Sequence, residues 1–201
     1  MSGTLYFVRH GRTLFNERHI IQGWVDSPLT PEGEEQASRV GRYFAQCGVT
    51  FDHAYASLVA RTHQTLERIT DMPFERERGL MEWSFGAFEG ERTYLMPAWP
   101  WGDFFVPFGG EGQLAFRDRI VSTLTQIMQR TGHRSVLVVA MAPRAASSSR
   151  RCATAVWRTS TWTFPATARW RGTALTVRPS GCKRSWSRMP CDGSSGSSRG
   201  C

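Results

Sequence analysis

Residues 4–13 read Thr-Leu-Tyr-Phe-Val-Arg-His-Gly-Arg-Thr. The apolar run Leu5–Val8 has the length and composition of a buried strand. It delivers Arg9, His10 and Gly11 to its own C-terminal end. In an open α/β sheet that end is where ligands bind. An imidazole placed there can act as a nucleophile, and an arginine beside it can grip a phosphate with a planar fork of donors. The tripeptide alone carries little weight, because a single histidine serves packing more often than chemistry. Its neighbours decide the matter.

Outward from this stretch, strands and helices alternate. Thr30-Pro31-Glu32 opens a helix, with a capping hydroxyl, Pro at the first helical position, and Glu32, Glu34 and Glu35 near the positive end of the dipole. Ala37, Val40 and Phe44 form its apolar face. Phe51–Ser57 reads as a second strand, and a helix follows from about Ala60 to Ile69. Residues 94–110 are rich in Pro, Gly and aromatics and read as a loop or lid over a pocket. Leu114–Met128 reads as a helix with Ile120, Val121, Leu124 and Ile127 on one side. Ser135–Ala140 is a β-branched, buried strand. The alternation predicts an α/β, three-layer sandwich: a mostly parallel central sheet covered by helices on both faces.

The chain has 201 residues, enough for one domain with a sizeable core. It contains no apolar run long enough to span a membrane and no signal-like N-terminus, so a cytoplasmic location is expected. The net charge of +8 is unevenly placed. Residues 1–141 hold 14 Arg and no Lys against 16 acids, a net of −2. Residues 142–201 hold 10 Arg and Lys183 against Asp192 alone, a net of +10. That segment also carries 11 Ser, four Cys and four Trp, without a clear amphipathic helix or alternating strand. Disordered basic arms are usually poor in Trp and Cys. Cys152, Cys182, Cys191 and Cys201 lack paired metal-ligand spacing.

Out-of-frame translation of a GC-rich gene accounts for this composition. If one base is missing just before Met141, the restored codons allow His, Asn, Asp or Tyr, followed by an obligatory Gly. The strand would then continue as Ala-His-Gly. The chain is therefore divided into an α/β domain at 1–140, incomplete at its C-terminus, and an aberrant Ser/Arg-rich tail at 141–201. The tail is read as out of frame, with disorder as the other reading.

Five segments in order resemble the histidine phosphatase superfamily, which includes the cofactor-dependent phosphoglycerate mutases. They are Arg9-His10-Gly11-Arg12-Thr13 with Asn16; Gln22 through Thr30; Ser57 through Thr65; Leu80 through Gly90; and Gly109-Gly110-Glu111. The resemblance covers residues 4–140. It implies that His10 attacks phosphorus and carries the phosphoryl group. Arg9 and Arg61, with Asn16 as a further donor, would hold the equatorial oxygens, where charge builds in phosphoryl transfer. Glu82 matches the proton donor, whose carboxyl must be protonated to serve. Gln22 and Gly23 match the loop over the substrate. Trp24 either walls the pocket or packs in the core. Arg12 reads as a solvated charge, and Glu89 and Glu111 as structural acids. No metal and no cofactor are expected, because arginines supply the positive charge.

The resemblance also implies a second pocket histidine directly after the Ser135–Ala140 strand, where this chain has Met141. His19, His53, His63 and His133 do not fill that place. A thioether neither donates to phosphate nor carries charge, so an impaired or inactive chain is expected. The favoured reading is a phosphomonoester hydrolase of small phosphorylated metabolites. It has no nucleic-acid or membrane partner, and its oligomeric state is open. One alternative is a phosphoglycerate mutase, although residues 82–90 and the short stretch after Gly90 resemble the phosphatase branch more. Another is a non-catalytic phosphate-binding protein with a basic interaction tail. The aromatic lid hints at a leaving group larger or less charged than glycerate.

Overall fold

The computed structural model describes residues 3–141 and the backbone of 156–159. The reading of 141–201 as a separate tail therefore lies outside the described residues, except for Met141 and that short backbone segment. Among the described residues five strands form one sheet in the order β3-β2-β4-β1-β5. They are β1 (Thr4–Arg9), β2 (His53–Ala56), β3 (Glu75–Arg76), β4 (Ser135–Ala140) and β5 (Val156–Thr159). β1 runs parallel to β4, and β2 runs parallel to both β4 and β3. Among the described residues four α-helices accompany them: α1 (Leu14–Glu17), α2 (Pro31–Gln46), α3 (Ala60–Ile69) and α4 (Gln113–Gln129).

The period-two geometry of the strands divides the core. On one face Leu5, Phe7, Tyr55, Val136 and Val138 meet Phe116, Ile120, Leu124 and Ile127 of α4. On the other, Tyr6, Val8, Ala54, Ala56, Leu137 and Val139 meet Val40 and Phe44 of α2 and Leu66 of α3. The expected α/β three-layer sandwich is thus the one observed. Both faces are covered, which is why the strands read as continuous apolar runs rather than alternating ones.

Thr30 caps α2 as its sequence predicts, with its hydroxyl accepting from Gly33 N at 3.1 Å. The sequence reading found no strand beyond residue 140, yet β5 pairs antiparallel with β1, setting Leu5 opposite Thr159 and Val8 opposite Val156. Without it, β1 would be an edge strand with a row of unpaired amides and carbonyls. β3 is only two residues long, too short to carry a periodic signal.

Two glycines press the His10 segment against α2. A Cβ at Gly33 would run into the Arg12 carbonyl, and one at Gly11 into the Gly33 carbonyl. In a helix, Gly→Ala normally gains about 1 kcal/mol. Overpacking against backbone costs about 1–3 kcal/mol, so the clash outweighs the gain. Gly33→Ala is expected to lower the urea midpoint of unfolding despite improving helix propensity. A rise in the midpoint would show that the loop and helix part without cost.

Candidate functional site

β1 ends at Arg9, paired in register with Ala140 at the end of β4. His10 and Met141 therefore leave the sheet side by side, at the C-terminal ends of the parallel strands. His10 is fully buried. Its backbone N–H donates to Ala140 O at 3.2 Å. Its Nδ1 lies 2.7 Å from Gly11 O. A carbonyl only accepts, so Nδ1 carries the hydrogen and Nε2 holds the free lone pair. Burial keeps the imidazole well below its usual pKa, and the nearby charges of Arg61 and Arg9 push in the same direction. The ring is neutral at pH 7. Nε2 faces the Met141 thioether, 3.1 Å away.

Arg61 enters from the first turn of α3 and is 1% exposed. Nη2 donates to Gly23 O at 2.6 Å, and Nη1 donates to Val25 O at 2.8 Å and to Asp26 Oδ1 at 3.0 Å. The same Asp26 carboxylate accepts from Ala60 N, capping α3 where Val59 cannot. With both terminal nitrogens committed, Nε is left as a buried donor without an acceptor among the described residues. A buried, unsatisfied donor on a charged group is costly unless a ligand meets it.

Glu82 is nearly buried, and its Oε1 accepts from Trp83 N at 2.7 Å. Burial raises its carboxyl to about 7, against the lowering pull of that hydrogen bond and of the Arg61 and Arg9 charges. The same two arginines thus act on both His10 and Glu82. These influences link four side chains drawn from the end of β1 and the residue after it, from α3, and from the irregular chain that precedes α4.

The remaining candidates relate to these four side chains in different ways. Thr13 and Asn16 form a capping box at α1: Asn16 Oδ1 accepts from Thr13 N at 3.2 Å, which leaves Nδ2 as its remaining donor. Gln22 lies 2.7 Å from Thr13 Oγ1. With its amide nitrogen turned to that hydroxyl, its oxygen accepts from Arg61 Nη1 and Ser27 N at 3.3 Å. The Gly23 amide donates to Glu89 Oε2 at 2.9 Å. A Cβ at Gly23 would strike the Trp83 carbonyl and the Glu89 carboxylate. Gln22 and Gly23 therefore spend their polar atoms on the protein, seating Arg61 and its loop. Arg12 pairs with Glu32 and Glu17 at the surface.

Glu89 also accepts from Trp24 N, Val25 N and Phe85 N, fastening the Gln22 loop to the Glu82 segment. Trp24 is 39% exposed, and its Nε1 donates to Glu82 O at 2.9 Å. Residues 94–110 divide between core and surface. Trp101 and Phe105 are buried against Trp83 and Phe85, with ring centroids 5.0–6.4 Å apart. Trp99, Phe104 and Phe108 stay exposed. His63 is buried with Nε2 2.6 Å from Ser57 O, and His53 stacks on His133 at 3.7 Å.

Sequence reasoning missed Asp26 and Arg119. Asp26 caps a helix that begins 34 residues later in the chain, and such a cap leaves no local signature. Arg119 lies on α4 and reaches the Glu82 segment, a contact that helical periodicity does not encode.

Among the described residues no helix is long and apolar enough to cross a membrane. Comparison with known proteins agrees with the geometry. The chain is 32% identical over 157 residues to a 2,3-bisphosphoglycerate-dependent phosphoglycerate mutase of Rhizobium etli, covering 70% of this chain and 74% of that protein. It is 35% identical over 92 residues to the broad-specificity phosphatase YOR283W of Saccharomyces cerevisiae, covering 43% of this chain and 40% of that protein. Among solved structures, a phosphoglycerate mutase from Bacillus anthracis superposes with a TM-score of 0.61 at 27% identity, over 70% of this chain and 75% of that one. The profile of the histidine phosphatase superfamily (branch 1) matches residues 5–143, and the chain belongs to that superfamily of enzymes.

Proposed function

We propose that the chain is a phosphomonoester hydrolase of small phosphorylated metabolites, working through a phosphohistidine on His10. The observation that carries this reading is the 2.7 Å contact from His10 Nδ1 to Gly11 O, which leaves a neutral imidazole with its Nε2 lone pair free. In the first step Nε2 attacks phosphorus and the ester P–O bond breaks. The Glu82 carboxyl gives its proton to the leaving alkoxide. In the second, water attacks the phosphoryl group and Glu82 takes back a proton. Inorganic phosphate leaves, and His10 is regenerated. Arg9, the Nε donor of Arg61 and the Asn16 amide would bear the charge on the equatorial oxygens. Gln22 and Gly23 hold the Arg61 loop in place.

The pH dependence follows from the two titrating groups. Glu82 must be protonated, so kcat/KM on an alkyl phosphate should fall as pH rises through about 7. His10 must be neutral, so the acid limb should lie well below the usual histidine range. Glu82→Gln is expected to lower kcat on an alkyl ester by about 10²–10⁴ and to abolish the alkaline limb. Release of phosphate from glycerol 2-phosphate across pH 4–9 checks both. An unchanged alkaline limb in Glu82→Gln would remove Glu82 from the reaction.

The Rhizobium relative favours a second reading, a phosphoglycerate mutase, in which the phosphoryl group returns to substrate instead of water. Interconversion of phosphoglycerates that depends on a bisphosphoglycerate primer, with little phosphate released, would select it.

A further inference from the structure

The segment from Glu77 to Phe85 carries Glu82 but contains only one short 3-10 turn, Arg78–Leu80. Glu77 O and Arg78 O accept within that turn and Ser84 O accepts from Glu111 N, whereas the buried carbonyls between them need partners from elsewhere. One side chain supplies several of them. Arg119 Nη1 donates to Gly79 O at 3.0 Å and Met81 O at 2.8 Å, and Nη2 donates to Glu82 O at 3.0 Å. Arg119 is itself held by Glu111 through two bonds, Nε to Oε1 at 2.8 Å and Nη2 to Oε2 at 2.6 Å. Glu111 reaches the far side of the same segment: Oε2 accepts from Ser84 N at 3.1 Å, and its carbonyl accepts from Trp83 Nε1 at 2.6 Å.

We propose that the Arg119–Glu111 pair is a positioning device that sets the Glu82 carboxyl for proton delivery. The proposal rests on the reading of Glu82 given above. The pair brackets Glu82 on both sides in sequence, from Gly79 to Ser84, without touching the reacting atoms. Its charges cancel. A lone arginine against the Glu82 backbone would favour the ionised carboxylate, whereas a bidentate ion pair supplies the donors without that bias. Lysine cannot replace it, because a point-like ammonium cannot meet three carbonyls and a carboxylate in one plane.

Leaving-group chemistry separates positioning from plain structural support. p-Nitrophenolate departs without a proton, whereas an alkoxide needs one. Arg119→Lys should lower kcat/KM on glycerol 2-phosphate by about 10–100-fold, the scale of a misplaced catalytic group. It should leave kcat/KM for p-nitrophenyl phosphate nearly unchanged, because that ratio ends with departure of the leaving group, before Glu82 takes a proton from water. Combined with Glu82→Gln, it should add nothing further to the difference between the two esters. Equal loss on both esters, or loss on neither, overturns the proposal. If Glu82→Gln itself shows no preference between the esters, the role given to Glu82 is what fails.

A second measurement needs no turnover. In the charge-neutral double variant Arg119→Met with Glu111→Gln, the ¹³C NMR titration midpoint of the Glu82 carboxyl should fall from about 7 toward the ordinary carboxylate range as the side chain loses its buried seat. An unchanged midpoint in the folded full-length double variant overturns the proposal independently of the kinetics.

Discussion

Replacing His10 with alanine is expected to lower kcat on the order of 10⁶, the scale seen when a covalent nucleophile is removed. Partial loss is not the expected outcome, because three of the other four histidines are held elsewhere. His63 is committed to Ser57 O, and His53 and His133 stack on each other where β2 and β4 begin, the opposite end of the sheet. The effect should fall on kcat. Arg9 and Arg61 remain in place, so phosphate esters should still bind. Phosphate release measured alongside inorganic-phosphate binding separates the two. Activity within tenfold of the parent would exclude His10 as nucleophile.

Met141→His should move activity the other way, raising kcat by about 10²–10³, the value of one well-placed donor to a developing oxyanion. Parallel pairing of Arg9 with Ala140 puts residue 141 beside His10, and the Met141 sulfur sits 3.1 Å from His10 Nε2. A phosphoryl group reaching Nε2 must therefore displace a thioether that offers it no hydrogen and no charge. A histidine there would offer an N–H, and a full charge at mildly acidic pH. Met141→Leu, equally apolar, should leave kcat where it was. A steady-state comparison of the three proteins decides the matter. If histidine gives no gain, the site is not short of a donor at this position.

The strength of the sequence signal tracked how local each interaction is. β1 and β4 were legible because both faces are buried, so their residues form uninterrupted apolar runs. α2 was legible to its cap because Thr30 and Pro31 act within one turn. α3 began and ended where expected, and Ile120, Leu124 and Ile127 do form the inner face of α4, joined there by Phe116 rather than by Val121. His10, Arg61 and Glu82 were legible as residue types at their places in the chain. Their environment was not. The tie from Nδ1 to Gly11, the orphaned Nε of Arg61 and the burial of Glu82 all depend on segments tens of residues apart.

The same holds for the supports. Asp26 caps α3 from a distant loop, Glu89 gathers four backbone amides, and Arg119 reaches across to carbonyls with no regular partners. The aromatic stretch at 94–110 was legible as irregular. Its division into buried Trp101 and Phe105 and exposed Trp99 and Phe108 was not, because irregular chain has no period to mark an inner face.

Trapping the phosphorylated protein tests the central claim most directly. The full chain is mixed with p-nitrophenyl phosphate, quenched in alkali within the first turnover, and its peptides are analysed by mass spectrometry. The account predicts one phosphoryl group on His10, retained in alkali, lost in acid and absent from His10→Ala. Turnover without a phosphorylated His10, or with the group on another residue, would contradict it.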